Sequence, residues 1–364
     1  MRGSSPLVAV PCLLLAAAAC GGNTGPLPLS ATTPAASRNM TLLAHLAGPA
    51  LSGGPAVDGS GCWGYTAPGG RRFALVGTSL GLSIVEVSQP TSARRVAFIP
   101  GSPSTWREVK TYRQYAYVST EAKTGLDIVD LGNPDQPVKL QTWNRTFTSA
   151  HTVWIDEPRG LLFANGTDRG MRVLDLTRDP REPVEVGAFE GYYIHDTYTR
   201  GTTLYASAIF DGFLGILDVR RPEAIREVTR FFTGGRFTHN SWLTGDGRYI
   251  FTTDERQRFP IEGWDISDPF APRKVSQYIA RPDSRPHNVM IDGNRLVISH
   301  YEDGVHLLDV TNPERPEAIG FYDTYDGVLT GTFGAWGVYI FPGSDLILVS
   351  DIQGGLFVVG YTGP

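Results

Sequence analysis

Four histidines recur at nearly constant intervals along the sequence. His151, His195, His239 and His287 are separated by 44, 44 and 48 residues, in a chain that has only seven histidines. Neutral imidazole is a ligand for Zn, Cu, Fe and Ni. If three or four of these side chains met at one point, they could bind a divalent transition metal and activate a water molecule. The alternative is structural, with each imidazole hydrogen-bonded to the backbone of the neighbouring repeat.

A second motif recurs with the same period and indicates which elements carry the histidines. It consists of a glycine, a few further residues, an aliphatic residue and usually an acidic residue, and its copies occupy residues 81–87, 125–131, 170–176, 215–219, 263–266, 304–310 and 355–361. The acidic residues from Glu86 to Asp309 are spaced by 44, 45, 43, 47 and 44 residues. This period is about the length of one four-stranded propeller blade. We expect each acidic side chain to accept hydrogen bonds from backbone N–H groups of the turn that follows.

The flanks of each copy predict three more strands per repeat. A hydrophobic strand such as 115–119 precedes each copy, and most copies are followed by a proline-containing turn such as Asn133-Pro134 and then by another strand such as 138–143. No convincing amphipathic helix interrupts this pattern. The sequence therefore predicts an all-β protein, a seven-bladed β-propeller of four-stranded antiparallel blades.

The two ends of the repeat array complement each other. The seventh copy ends near Pro364 with no outer strand after it, whereas residues 41–46 form an apolar strand that precedes the first unit. An N-terminal strand that completes the last blade would close the circle and leave no exposed edge. We predict this closure.

Alignment of the units on their second strands places one residue of each unit at the start of its innermost strand. These residues are Cys62, Trp106, His151, His195, His239, His287 and Trp336. Because the innermost strands of a propeller line its central channel, we expect these side chains to face one mouth of the channel. Carboxylates of nearby loops, such as Glu121 and Glu255, would surround the imidazoles and could orient them.

Large aromatic side chains are predicted near the same face. They could bind a sugar or a peptide by stacking, because rigid rings supply contact area at low entropic cost. The alternative is that they pack between blades. The predicted ligand-binding residues are Trp63, Trp106, Trp242, Tyr301 and Trp336.

The N-terminus has the features of an export signal. Arg2 is followed by an apolar stretch over residues 7–19 and by Cys20. We expect residues 1–19 to be a lipoprotein signal peptide and Cys20 to be lipidated, with ordinary cleavage near Ala19 as the alternative. Residues 20–40, rich in small residues, Pro and Thr, would be a flexible tether, and residues 41–364 the propeller. Only Cys62 remains in the predicted domain, so no internal disulfide is expected.

Charge and motifs exclude several classes of function. The formal net charge is -5 and no cluster of Lys and Arg occurs, which argues against a nucleic-acid partner. The phosphate-binding, serine-hydrolase and common zinc motifs are absent from the sequence.

The repeats resemble the LVIVD repeat, and the chain resembles the bacterial surface proteins of the choice-of-anchor B family. The segments that carry the resemblance are IVD at 128–130, HTVWID, FANGTDRG, YIHDTY and THNSWL. The resemblance implies a secreted propeller tied to the cell surface by an anchor, and a lipid at Cys20 would be one such anchor. Gly21 directly after Cys20 favours the outer membrane in an organism that has one. It implies no established reaction.

Two functions follow from the sequence as hypotheses. The first is a cell-surface binding or scaffolding module, monomeric, that binds a protein, peptide or glycan through the histidine-bearing channel face. The second is a metal-dependent enzyme, an oxidoreductase or hydrolase, with the four histidines as metal ligands. Fold alone cannot separate them, because propellers host both classes.

Overall fold

The predicted β-structure is present throughout the computed structural model, which describes residues 36–327 and 333–364. The predicted signal peptide, Cys20 and residues 21–35 of the predicted tether lie outside the described residues. The described chain begins with β1 (Ser37–Arg38), β2 (Met40–Leu46) and the short helix α1 (Gly48–Ser52). Two 3-10 helices, Pro90–Ser92 and Pro222–Ala224, occur later in the chain. No helix in the described ranges is long and apolar enough to cross a lipid bilayer.

The remaining strands follow in six groups of four and a last group of three, and each group belongs to one blade. Blade 1 contains β3 (Gly59–Thr66), β4 (Arg72–Thr78), β5 (Gly81–Glu86) and β6 (Arg94–Pro100). Blade 2 contains β7 (Val109–Tyr112), β8 (Tyr115–Val118), β9 (Leu126–Asp130) and β10 (Val138–Trp143). Blade 3 contains β11 (Thr152–Asp156), β12 (Leu161–Thr167), β13 (Gly170–Asp175) and β14 (Val184–Phe189). Blade 4 contains β15 (Asp196–Arg200), β16 (Thr203–Ala208), β17 (Phe213–Asp218) and β18 (Arg226–Phe232).

The second half of the chain continues the pattern. Blade 5 contains β19 (Thr238–Leu243), β20 (Tyr249–Asp254), β21 (Ile261–Asp265) and β22 (Arg273–Tyr278). Blade 6 contains β23 (Val289–Asp292), β24 (Arg295–Ser299), β25 (Val305–Asp309) and β26 (Glu317–Tyr322). Blade 7 contains β27 (Ala335–Ile340), β28 (Leu346–Asp351) and β29 (Gly355–Tyr361), and its outer strand is β2. The predicted all-β seven-bladed propeller is confirmed.

The blades form a closed ring around a channel. The first strands of successive blades contact one another in the order β3, β7, β11, β15, β19, β23 and β27, and β27 contacts β3 again. The core lies between adjacent blades, as where Phe73 and Leu75 of blade 1 pack with Val118 and Val129 of blade 2. Middle strands such as β28 are therefore buried along their whole length, which explains their continuous apolar sequence.

The N-terminal strand closes the ring as predicted. Strand β2 pairs antiparallel with β29, from Met40 opposite Tyr361 to Leu46 opposite Leu356. The pairing begins earlier than the predicted tether boundary at residue 40, because β1 also adds a short fifth strand to blade 6, with Ser37 opposite Tyr322. The last residues of the predicted tether thus include paired strand residues, and the rest of the tether stays a prediction. Ser37 and Arg38 pair with blade 6 through backbone groups, and the side chains of Arg38 and Asn39 also donate to the carbonyl oxygens of Ala318 and Ile319.

The repeated aspartates cap the turns between the third and fourth strands. In blades 2 to 6 one carboxylate oxygen of each accepts a hydrogen bond from the N–H two residues later, at 2.7 to 3.0 Å. The aspartates concerned are Asp130, Asp175, Asp218, Asp265 and Asp309. The predicted structural role is confirmed at these five positions.

The burial of side chains along β2 predicts how much this strand contributes to the free energy of unfolding. Leu46 is 7% exposed and packs in the core of blade 7, whereas Leu42 on the same strand is 37% exposed. We expect Leu46→Ala to lower the free energy of unfolding by about 2–4 kcal/mol and Leu42→Ala by about 0.5 kcal/mol or less. Urea unfolding of both variants checks this. Equal losses would show that β2 does not stabilise the ring through its buried face.

Candidate functional site

Strand pairing defines which residues of the seven inner strands lie at the same height in the channel. Thr152, Asp196 and Asn240 each pair with the equivalent residue of the second strand in their blade. Counting from such pairs gives three rings of side chains. The histidine ring contains Ser60, Arg107, His151, His195, His239, His287 and Trp336. One residue further along, the polar ring contains Gly61, Glu108, Thr152, Asp196, Asn240, Asn288 and Gly337. Two residues beyond that, the aromatic ring contains Trp63, Lys110, Trp154, Tyr198, Trp242, Met290 and Tyr339.

Two residues that were expected at the height of the histidines, Cys62 and Trp106, do not lie at that height. Cys62 pairs with Val76 and Val109 pairs with Val118, so Ser60 and Arg107 occupy the histidine positions of blades 1 and 2. A register shift between Gly59 and Cys62 causes the difference in blade 1. Cys62 is buried, and burial raises the pKa of its thiol to about 12, so it behaves as a small apolar residue.

The four histidines do meet, and they form one continuous arc. Adjacent imidazole centroids are 4.3, 4.3 and 4.1 Å apart, and the ring of His287 lies 4.0 Å from that of Trp336. Trp106 extends the arc by stacking on Trp336 at 4.4 Å. The four histidine residues are at most 9% exposed. The arc therefore fills the channel with packed rings at this level.

The imidazoles are held by hydrogen bonds of two kinds. His287 Nδ1 donates to the backbone oxygen of Trp336 at 2.6 Å, and His195 Nδ1 donates to that of His239 at 3.3 Å. These bonds join neighbouring blades, so the structural alternative for these histidines is confirmed at two positions. His151 Nδ1 is instead 2.6 Å from Oε1 of Glu121, one of the loop carboxylates expected around the ring.

The surroundings shift the pKa of the four imidazoles in two different directions. Burial lowers the pKa of His195, His239 and His287 well below its ordinary value, and neighbouring imidazoles lower it further. Burial also opposes protonation of His151, but the hydrogen bond and the charge of Glu121 outweigh it and raise the pKa of that imidazole. Three neutral rings thus stand beside one ring that favours the charged form.

Within residues 36–327 and 333–364, no group of three or more His, Cys, Asp or Glu side chains is placed to hold a metal ion. In the arc, the Nδ1 atoms of His195 and His287 are already engaged with carbonyl oxygens. His287 Nε2 is buried and has no hydrogen-bond partner among the described residues. Metal binding by His151, His195, His239 and His287 stays a prediction.

The polar ring lines a small chamber beside the histidine ring. The chamber has a volume of about 40 Å³, enough for about two or three water molecules. Glu108 and Asp196 face it, and burial raises the pKa of both carboxyl groups. Trp336 Nε1 donates to Glu108 at 3.3 Å, and Asn240 Nδ2 donates to Asp196 at 2.7 Å.

The aromatic ring separates the chamber from an open mouth. Trp63, Trp154 and Trp242 line both spaces. The mouth has a volume of about 590 Å³, within the range of small-molecule sites, and its rim carries Asp156, Glu157, Arg113 and Arg200. Because the aromatic ring lies three residues further along each inner strand than the histidines, the mouth is at the end of the channel opposite to the histidine ring.

The five predicted ligand-binding residues therefore form two groups, which corrects the expectation that they share one face. Trp63 and Trp242 line the mouth, whereas Trp106, Tyr301 and Trp336 are at the histidine end. Tyr301 and Trp336 are 1% and 6% exposed, and the hydroxyl of Tyr301 donates to Glu255. These two side chains are packed in the fold.

Most members of the aromatic ring are not among the residues predicted from the sequence. The missed members are Lys110, Trp154, Tyr198, Met290 and Tyr339. The signal was a constant offset of three residues from the histidine position, as in HTVW, HDTY, HNSW, HNVM and WGVY. Alignment on that offset would have found the ring.

Comparison with known proteins identifies one repeat type. The model of the LVIVD repeat matches residues 106–144, which span blade 2. The matched repeat and the seven-bladed ring together support an LVIVD-repeat β-propeller. No curated protein matches the sequence. The fold and the repeat support a binding or scaffolding module.

The buried neutral histidines predict acid sensitivity. The unfolded chain binds protons on these imidazoles below about pH 6.5, whereas the folded protein resists protonation until much lower pH. The free energy of unfolding should therefore fall as the pH drops below about 6.5, by about 1.4 kcal/mol per pH unit for each histidine. We expect His239→Gln to reduce this slope by about that amount, measured by urea unfolding between about pH 5 and pH 6.5.

A matched control separates titration from simple destabilisation. Leu46→Ala removes buried apolar contacts and no titratable group, so it should lower stability but keep the full slope. An unchanged slope in His239→Gln would contradict the assignment of a neutral, buried imidazole.

Proposed function

We propose that the protein is an exported binding module that takes up its ligand in the open mouth of the propeller channel. The observation that carries this proposal is a cavity of about 590 Å³ walled by the indole rings of Trp63, Trp154 and Trp242. Each of these three side chains is only partly buried, so part of each ring remains accessible. Partly exposed aromatic side chains in a concave site are the usual anchors for a bound ligand.

The opposite end of the channel is a weaker candidate for the ligand site. There the histidines, Trp336 and Tyr301 are packed against one another with little exposed area. A ligand would have to separate these rings to reach the imidazole nitrogens. The mouth offers space without such a rearrangement, so we assign binding to the mouth and a structural role to the histidine ring.

We further propose that the propeller is held at a bacterial cell surface by a lipid on Cys20. The apolar segment 7–19 directly before this cysteine supports the proposal, as does the resemblance to the choice-of-anchor B family. The sequence between Cys20 and β1 would then act as the tether. A surface anchor would present the mouth to ligands outside the cell.

Binding at the mouth can be tested with a panel of peptides, oligosaccharides and small organic ions. We expect at least one member to change the tryptophan fluorescence, and Trp154→Ala to weaken its binding about tenfold or more, because this substitution removes one wall of the cavity. Phe210→Ala is the matched control. Phe210 is 71% exposed on a loop at the histidine end of blade 4, so this variant should bind normally. Equal binding by wild type and Trp154→Ala would refute the assignment.

Lipidation can be tested by expression in a bacterial host. Cys20→Ser should abolish incorporation of radiolabelled fatty acid and release the protein from the membrane fraction, because the proposed acyl acceptor is lost. Cys12→Ser, in the same predicted signal, should keep both the label and the membrane fraction. Retention of the label in Cys20→Ser would contradict the proposed anchor.

A further inference from the structure

The rings around the mouth form walls rather than one flat platform. The planes of Trp63 and Trp154 are inclined at 83°, and those of Trp154 and Trp242 at 87°, with centroids 6.4 and 5.3 Å apart. Tyr339 stands at 66° to Trp63 on the other side. The face of an aromatic ring carries the negative part of its quadrupole. Rings set nearly perpendicular to one another can direct both faces and edges at a small group between them, whereas a sugar ring stacks best on a single exposed face.

The chain already places an ammonium group in this ring. Lys110 is the member contributed by blade 2, and its Nζ lies 4.4 Å from the ring centroid of Trp63. The Lys110 side chain is only 14% exposed. This is the distance and the desolvated setting of a favourable cation–π interaction. The aromatic ring is therefore chemically suited to organic cations.

Carboxyl groups outnumber ammonium groups beneath the aromatic ring. Two carboxylates, Glu108 and Asp196, face the chamber, and one ammonium group, that of Lys110, faces it with them. Lys110 Nζ is 3.8 Å from Glu108 Oε2. The hydrogen bonds to Asp196 come from neutral groups, namely Asn240 Nδ2 and the backbone N–H of Thr197. Burial raises the pKa of both carboxyl groups. When both are ionised, the three groups carry a formal charge of −1, and a second cation at the ring would favour that ionised state.

The rim does not reverse this preference. The rim carries two arginines, Arg113 and Arg200, and two carboxyl residues, Asp156 and Glu157, so its formal charges cancel. Arg200 Nη1 donates to the carbonyl oxygens of Thr244 and Gly245. Glu157 is exposed at the same edge. The mouth, at about 590 Å³, is much larger than the chamber, at about 40 Å³, so the mouth is where a substituted ammonium group has more room.

We infer that the mouth recognises a quaternary or alkylated ammonium group, held between the rings of Trp63, Trp154 and Trp242 above the carboxylates of the polar ring. The inference rests on the proposed function and names its ligand class. The mouth, at about 590 Å³, has room for the remainder of a larger ligand that carries such a group. The site is a binding site and implies no chemical step.

The test compares choline with its neutral isostere 3,3-dimethylbutan-1-ol on the purified protein. Isothermal titration and tryptophan fluorescence should show choline binding at least about tenfold more tightly than the isostere. The trimethylammonium group of choline and the tert-butyl group of the isostere have the same shape and differ in charge. Trp242→Leu keeps apolar bulk but removes one π face, and it should weaken choline binding about tenfold. Phe210→Ala should bind choline as the wild type does.

The variant Lys110→Met should change choline affinity in the opposite direction to Trp242→Leu. It removes the resident ammonium group and keeps an unbranched apolar side chain, so choline binding should become tighter by about tenfold. If this variant fails to fold, as judged by circular dichroism, Trp242→Leu and the isostere comparison still decide the outcome. Unchanged or weaker binding in folded Lys110→Met would overturn the inference.

The possible failures are distinguishable. Equal affinity for choline and the isostere, or no binding of choline with clear binding of an oligosaccharide that is lost in Trp154→Ala, would overturn the cation inference and leave the binding function standing. Absence of binding to every member of the panel would overturn both. Choline binding that survives Trp242→Leu unchanged would place any cation site outside the aromatic ring.

Discussion

Every feature of the channel depends on the closure of the ring by β2 and β29. The antiparallel pairing from Met40 to Leu46 joins the first strand of the propeller to the last blade, and it removes the free edge that blade 7 would otherwise expose. Closure also fixes the blades at one radius, so residues about 44 positions apart in sequence lie beside one another around the axis. Without that constraint, the four repeated histidines would be copies of a local feature and would form no arc.

Within the closed ring, the height of a side chain on the inner strand determines its chemistry. At the first level, imidazole and indole rings pack at centroid distances near 4 Å and bond to neighbouring backbone oxygens, so this level joins blades. One residue further along, Glu108 and Asp196 enclose a chamber of about 40 Å³. Two residues beyond, the indoles open onto a cavity of about 590 Å³. A single short strand per blade thus supplies a structural level and a binding level.

The sequence was sufficient for those parts of the fold that repeat. The period of the acidic residues predicted seven blades, and the aspartates that define it were found to cap the turns, because a carboxylate beside a tight turn has nearby backbone N–H groups to accept from. The apolar segment at 41–46 predicted the closing strand, because it precedes the first repeat and the seventh repeat has no outer strand of its own. Ser37 and Arg38 could not be placed, because their pairing with blade 6 is made by backbone groups that have no side-chain signature.

The candidate site shows the same division. Histidine spacing predicted that four imidazoles would lie at one height in the channel, because the repeat converts a constant interval into a constant position. The spacing did not show that Ser60 and Arg107 occupy the histidine positions of blades 1 and 2. In blade 1 a register shift lies before Cys62, and in blade 2 no histidine marks the position next to Trp106. Nor could the spacing decide which end of the channel is open. Side chains from seven distant segments share that space, and whether they fill it, as the imidazoles do, or leave room, as the indoles do, is decided only when all seven strands are packed at one radius.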